Sequence, residues 1–337
     1  MNTRIIEATY ENMSSIIDFW SGVHGVSDWI VEDIYIGLAE KFIRNIVLTD
    51  VKNFETLKGK PVLYLANHQT AVESLLFIYM VGGLSQTLVT AIAKQEHTET
   101  WLGKLHSHSH EHPNGTPHNA LMYFDRSKPV SFIEILRKIE LEMKNNHTSI
   151  LIHTEGTRAL TCRQETTKVN RRMVQLAIQA NIPIVPIRFI GGLPIEESDE
   201  RTEFPIHFGT QDFYVGSPIF PEEIKDLEFS QQKEMILQAI NHLGMLANCE
   251  KPNKPDLDFS RKVEVCMNQF GVPVEFATIL KVWEMKSHPS PELLDFLERL
   301  KKSELTFGQS PMEKWLSGLA DCLQMNHDIH RTKQEGL

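Results

Sequence analysis

The sequence predicts an α/β protein: a mixed, largely parallel sheet flanked by helices, with a helical element before it and a helical extension after it. Short apolar runs at 62–65, 88–92, 121–124, 150–152, 184–190 and 213–215 alternate with helical patterns at 73–81, 130–145, 170–180 and 221–247. The runs are apolar at successive positions, as expected for strands covered on both faces. Outside this stretch the texture is helical throughout.

In order along the chain, residues 10–48 read as helices, with Ile30, Ile34, Leu38, Phe42 and Ile46 at helical spacing. The polar stretch 52–60, ending in Gly59, reads as a linker. Residues 74–93 hold no Asp, Glu, Lys or Arg over 20 positions, which reaches membrane-spanning length. Gly82-Gly83, Ser85, Gln86 and Thr87 interrupt that stretch, and 88–92 is strand-like, so a buried helix, a turn and a buried strand account for it. Two prolines in Lys251-Pro252-Asn253-Lys254-Pro255 end the last helix of the core. Residues 257–330 are helical with breaks near Gly271, Pro289-Ser290-Pro291 and Gly308, and Ser290-Pro291 is a good helix start. The expected division is a helical N-terminal element (1–57), a core (58–250) and a helical C-terminal extension (251–337).

A net charge of −10 opposes broad binding to nucleic acid or to an anionic membrane surface. Cys162, Cys249, Cys266 and Cys322 form no close-spaced pair, so neither a disulfide framework nor a zinc site is expected. The N-terminus, with Arg4, Glu7 and Glu11, has no apolar leader core. A cytoplasmic protein is the expectation.

In Asn67-His68-Gln69-Thr70-Ala71-Val72-Glu73 a histidine stands five positions ahead of a carboxylate, directly after an apolar run. On one helix that spacing separates the side chains by about 140°. They meet only if His68 precedes the helix and Glu73 lies in its first turns, which a strand ending at Ala66 permits. His68 can then remove a proton from an acceptor hydroxyl with one ring nitrogen, while Glu73 fixes the tautomer through the other. No serine or cysteine nucleophile stands nearby, so direct attack of the acceptor on a thioester is the simpler scheme. The structural alternative is a capping histidine beside a solvated acid.

This block resembles the Asn-His-x-Ser-x-x-Asp motif of the glycerolipid acyltransferases, the glycerol-3-phosphate and lysophosphatidic acid acyltransferases. Further blocks follow in the family's order: Ala93-Lys94-Gln95-Glu96, Tyr123-Phe124-Asp125-Arg126, Glu155-Gly156-Thr157-Arg158 and Pro183-Ile184-Val185-Pro186-Ile187. The resemblance covers about residues 58–220. It implies transfer of a fatty acyl group from acyl-carrier protein or acyl-CoA to a hydroxyl of a phosphate-bearing acceptor, such as glycerol-3-phosphate or lysophosphatidic acid. It implies His68 as base, Glu73 as its orienting acid, and Arg126 and Arg158 as holders of the acceptor phosphate. Guanidinium suits that role, being always charged and bidentate. Glu155, Gly156 and Thr157 would shape the turn whose N–H groups help to hold the anion. The chemistry requires no metal and no cofactor beyond the acyl-thioester co-substrate.

The chain departs from the family pattern in several places. Glu73 replaces aspartate, Thr70 replaces serine, His153-Thr154 stands for Phe-Pro, and Ala120 and Asn170 fall where glycine is usual. These changes bear on the acceptor more than on the reaction. Two alternatives therefore stand beside the main reading. One is a specialised O- or N-acyltransferase with a non-glycerolipid, secondary-metabolite acceptor. The other is a non-catalytic lipid- or carrier-binding protein of the same fold.

His106, His108, His110, His112 and His118 crowd the stretch between Leu105 and Leu121, which reads as a polar loop at the pocket rim rather than a metal site. Peripheral membrane contact has a candidate surface in Met13, Ile16, Ile17, Phe19, Trp20 and Trp29. Glu11, Asp18, Asp28, Glu32 and Asp33 oppose anionic lipid, which favours packing of those apolar residues against the core.

Overall fold

The computed structural model describes residues 2–25, 30–111, 120–125 and 127–334, with side chains described for all of these except 110, 111, 129–133 and 325–334. Arg126, His112, His118, Asp28 and Trp29, and the side chain of His110, lie outside the described residues.

Among the described residues there are eight strands: β1 (Arg4–Glu7), β2 (Ile43–Leu48), β3 (Leu63–Ala66), β4 (Val89–Lys94), β5 (Leu121–Phe124), β6 (Ser149–His153), β7 (Ile184–Ile190) and β8 (Gln211–Val215). They form one sheet in the order β1-β2-β8-β7-β3-β6-β4-β5. Only β1 with β2 and β7 with β8 pair antiparallel, so the sheet is mixed and largely parallel. All six expected strands are present, β5 and β7 with the expected bounds and the other four shifted by a residue or two at their ends.

Alternation along β3 shows how the layers form. Leu63 and Leu65 join a core under the helices Pro129–Asn145, Arg171–Ala180 and Phe229–Asn241. Tyr64 and Ala66 join the larger core on the opposite face. The helix Val72–Ser85 crosses that second face with every residue buried, which explains its lack of charge apart from Glu73. Residues 74–93 are thus the rest of this helix, a turn and β4. Among the described residues no helix is long and apolar enough to cross a membrane.

Two local readings are corrected. Residues 43–48 are strand β2, not the end of a helix: Ile43, Ile46 and Val47 are β-branched, and the segment gains ladder partners in β8 and β1. Among the described residues, helical structure before it is confined to Ser14–His24, Gly37–Phe42, the 3₁₀ turn Tyr10–Met13 and the π-helical Ile30–Ile36. The polar stretch 52–60 is mostly the helix Val51–Leu57, whose first turn Asp50 caps by accepting from Asn53 N at 3.2 Å. The helical pattern at 221–247 also divides, into Pro221–Ile224 and Phe229–Asn241.

The terminal helices share the larger core, which runs from Ile6 to Leu323. Trp20 donates from Nε1 to Tyr79 O at 2.9 Å, and Trp283 donates to Asp33 O at 3.0 Å. Burying side chains of this size contributes roughly 1.5–3 kcal/mol each. Met13, Ile16 and Trp20 are buried and Ile17 and Phe19 pack partly buried, so this apolar face meets protein.

Candidate active site

The C-terminal ends of parallel strands are where an α/β sheet opens a crevice, and the sequence blocks converge there. β3 delivers His68, β4 delivers Lys94, and β6 delivers His153 and the turn to Arg158. Asn67 fixes the exit of β3: its Nδ2 donates to Phe189 O at 2.9 Å and its Oδ1 accepts from Phe189 N at 2.7 Å. The β6 turn is tied to the same place, with Thr154 N donating to Ala66 O and Ala159 N to His68 O.

His68 lies ahead of the helix and Glu73 in its first turn, as the five-residue spacing required. His68 Nδ1 is 2.7 Å from Glu73 Oε1. Glu73 is fully buried and accepts from Gln69 N (2.8 Å), Thr70 N (3.0 Å) and Gln211 Nε2 (2.8 Å). Burial pushes this carboxyl up; the hydrogen bonds and the neighbouring His153 pull it down. Burial is the larger influence and the net direction is upward, but three N–H donors fixed on its two oxygens are what an ionised carboxylate accepts, and the geometry is read as a carboxylate. Because a carboxylate only accepts, His68 carries its proton on Nδ1, and Nε2 presents its lone pair. Burial, then the charges of Arg158, His97 and Lys94, hold His68 well below the usual histidine range, so the imidazole stays neutral.

His153, where the family pattern has phenylalanine, stacks on His68 with ring centroids 3.6 Å apart and planes 15° apart. Its Nδ1 donates to Asn67 O at 2.6 Å, so Nε2 accepts from Ser74 Oγ at 2.7 Å. Burial is the main cause that lowers it to about 3. His68, Glu73 and His153 place potential ligand atoms within 4.8 Å of one another. Both nitrogens of His153 are engaged, however, and His68 Nδ1 is turned to Glu73, so this set does not fit a metal.

The cavity in front of the stack has a volume of about 500 Å³. Ala71, Ala91, Ile92, Leu102, Leu121 and Met173 line its apolar part; Lys94, His97, Arg158 and Arg201 supply cations or titratable groups. Arg158 reaches it already partnered: its Nη1 donates to Glu203 Oε1 at 2.7 Å and to Thr202 O at 3.0 Å. Glu203 Oε2 accepts from Trp101 Nε1 at 2.6 Å. Glu155 turns its carboxylate to Gln164 Nε2, Thr167 N and Thr167 Oγ1, each 3.1 Å away, and so braces the loop after the turn. Gly156 takes φ 64°, the left-handed region, and with Thr157 it lines the cavity.

The part of the histidine-rich stretch up to Glu111 belongs to the helix Trp101–Glu111 rather than to a loop, and residues 112–119 lie outside the described residues. His106 is buried, and His108 Nε2 lies 2.7 Å from Trp315 O on the C-terminal helix Pro311–Gln334. Thr100 and Leu102 meet the cavity rather than these histidines. Motif spacing missed His153, Glu203 and Gln211. A histidine in place of phenylalanine was the one visible signal; Glu203 and Gln211 come from distant loops and strands.

The imidazole–carboxylate pair thus opens on a partly apolar cavity beside a guanidinium, an arrangement suited to acyl transfer. Residues 48–190 match the family model described as Acyltransferase. The chain is 27% identical over 219 residues to a probable 1-acyl-sn-glycerol-3-phosphate acyltransferase of Mycoplasma genitalium, covering 64% of this chain and 75% of that one. It is 28% identical over 181 residues to the 1-acyl-sn-glycerol-3-phosphate acyltransferase of Saccharomyces cerevisiae, spanning 53% of this chain and about half (54%) of that protein. The crystal structure of the 1-acyl-sn-glycerophosphate acyltransferase PlsC of Thermotoga maritima aligns with a TM-score of 0.34 and 16% identity, over 53% of this chain and 64% of that one. The chain is an acyltransferase, and over this segment it is similar to the 1-acyl-sn-glycerol-3-phosphate acyltransferases.

Proposed function

We propose that the protein transfers a fatty acyl group from an acyl thioester, on acyl-carrier protein or coenzyme A, to the free hydroxyl of a 1-acylglycerol-3-phosphate or a similar phosphate-bearing acceptor. The observation that carries this reading is His68, held through Nδ1 by Glu73 and lining a cavity that Arg158 also lines, which leaves Nε2 as the basic nitrogen. As the acceptor oxygen attacks the thioester carbonyl, its proton passes to Nε2. Glu73 stabilises the imidazolium that forms. Collapse of the tetrahedral intermediate breaks the C–S bond, and the departing sulfur takes the proton back. The apolar wall suits the acyl chain, and Arg158 suits the phosphate. Work at the cytoplasmic side, in peripheral contact with a membrane that supplies the acceptor, is consistent with this reading.

One observation favours a second reading. Glu203 occupies Nη1 of Arg158 and brings a carboxylate to the acceptor wall, which suits an uncharged or amine acceptor better than a phosphate. Product mass after incubation with acyl-CoA or acyl-carrier protein and a panel of acceptors separates the two. The main reading expects an acylated phosphate ester; an acylated amine or neutral alcohol as the preferred product rejects it. No product from any donor–acceptor pair favours a binding protein.

A further inference from the structure

Glu73 is a buried charge whose hold on His68 depends on what surrounds it. Its Oε1 takes His68 Nδ1 and Gln69 N; its Oε2 takes Thr70 N and Gln211 Nε2. Three of these donors belong to the turn that Glu73 itself closes. Gln211 comes from the start of β8, 138 positions away and outside the segment matched by the family model.

The Gln211 side chain is fully buried and every polar atom of it is used. Nε2 donates to Glu73 Oε2 at 2.8 Å and to Gln69 Oε1 at 3.4 Å, and Oε1 accepts from Thr70 Oγ1 at 3.0 Å. The flipped amide would set its oxygen against the carboxylate, so the orientation follows from the partners. The backbone makes space for it: a Cβ on Gly192 would lie 2.6 Å from Gln211 Nε2. Gly192 N also donates to Gln69 Oε1 at 3.1 Å, and Gln69 Nε2 donates to Glu250 Oε1 at 2.7 Å. Arg188 in turn pairs with Glu250 at 2.9 Å.

We propose that Gln211 is a positioning residue of the acyl-transfer site, whose amide keeps Glu73 ionised and aimed at His68. The inference rests on the reading of His68 as the base. A buried carboxylate that loses one of its donors is pushed toward its neutral form, and a neutral carboxyl does not stabilise the imidazolium. The titratable and charged groups around the pair are His68 and His153 against Glu73, Glu250 with Arg188 beyond Gln69, and Arg158, His97 and Lys94 facing His68 from the cavity.

The test compares the full-length parent with Gln211→Glu, which keeps the shape, and Gln211→Leu, using the donor and acceptor found by the product panel. Hydrogen bonds to a charged group set the expected scale: kcat falls roughly tenfold to a hundredfold, with both KM values within about twofold of the parent. The acid limb of the kcat profile moves up by about one to two pH units, because the carboxylate then forms only at higher pH. A folded variant with the parent's kcat and acid limb overturns the proposal. So does a rate loss with an unmoved limb, which would mark a purely structural residue. The ¹³C carboxyl titration of Glu73 reads the same contact without turnover. If the parent transfers nothing in the panel, the functional reading fails, and this titration still decides the contact. A Glu73 resonance that titrates at the parent's pH in Gln211→Glu sinks the inference in either case.

Discussion

On one side of the cavity, Glu73 has both oxygens filled by N–H donors, and His68 is tethered at Nδ1 and stacked on His153. On the other, Arg158 divides itself between the cavity and a carboxylate of its own chain, Glu203. The first side is built from residues that have no further contact to make; only Nε2 is left to meet a substrate. The second holds a cation that an incoming anion must share with Glu203. Proton transfer demands a fixed angle and an unchanging environment, whereas acceptor choice is adjusted by adding or withdrawing charge. Glutamate in place of the family's aspartate leaves the first side intact, since Glu73 still reaches His68 despite its extra methylene. Glu203 sets the electrostatics of the second side.

The dyad side predicts the largest effect. His68→Ala should lower kcat roughly a hundredfold to ten-thousandfold with little change in melting temperature, because the side chain borders a cavity instead of filling a core. Glu73→Gln should cost less, since it keeps the shape and loses the charge. Steady-state rates and thermal melts measure both. A His68→Ala protein as fast as the parent would remove the distinction between a catalytic side and a binding side.

The acceptor side predicts a change in KM rather than kcat. Arg158→Ala should raise KM for a phosphate-bearing acceptor roughly tenfold to a hundredfold, with donor KM nearly unchanged and only partial rescue by lysine. Glu203→Gln sharpens the comparison: if Glu203 competes with the phosphate, its neutral form should lower acceptor KM several-fold. An Arg158→Ala enzyme with unaltered KM, acting best on an uncharged acceptor, would assign the wall to the second reading.

The dyad was legible in the sequence because its geometry is local. A strand end, a short turn and a helix start fix where residues 68 and 73 meet, whatever the rest of the chain does. The central strands were legible for a similar reason, since runs such as 184–190 are apolar at every position and bounded by turns. β2 was not. Ile43, Ile46, Val47 and Leu48 are buried on both faces, so periodicity could not separate strand from helix, and only the distant partner β8 decides it. Gln211, Glu203 and Glu250 were illegible for the same physical reason: each gains its role from a contact more than a hundred positions away or across the sheet. Nothing in their own neighbourhoods marks them.

His153 joins the two sides and predicts a crossover in stability. Its folded-state value, about 3, lies below the usual 6.5. Between those values the unfolded chain binds a proton that the folded one does not, so folding is favoured fully at neutral pH and loses about 1.4 kcal/mol for each pH unit of acidification through that window. His153→Phe, which restores the family residue, strands Ser74 and Asn67. It should cost about 1–3 kcal/mol at neutral pH yet lose less on acidification. Melting temperatures of both proteins between pH 4 and pH 8 check this. Parallel curves would show that His153 is not held neutral by the fold.

The smallest effect is expected at the histidine-rich helix. His108 is 2.7 Å from the Trp315 carbonyl, and His106 is buried. Neither is aimed at the cavity, where Thr100 and Leu102 of the same segment stand. His108 joins the cavity's outer wall to the C-terminal helix, a packing role that a metal would interrupt by claiming the imidazole nitrogen. Chelation should therefore leave turnover unchanged in protein purified without a metal column. Replacing His106 and His108 together should lower the melting temperature before it alters kcat. Stoichiometric zinc that leaves together with activity on chelation would overturn this, and would move the outer wall from scaffold to chemistry.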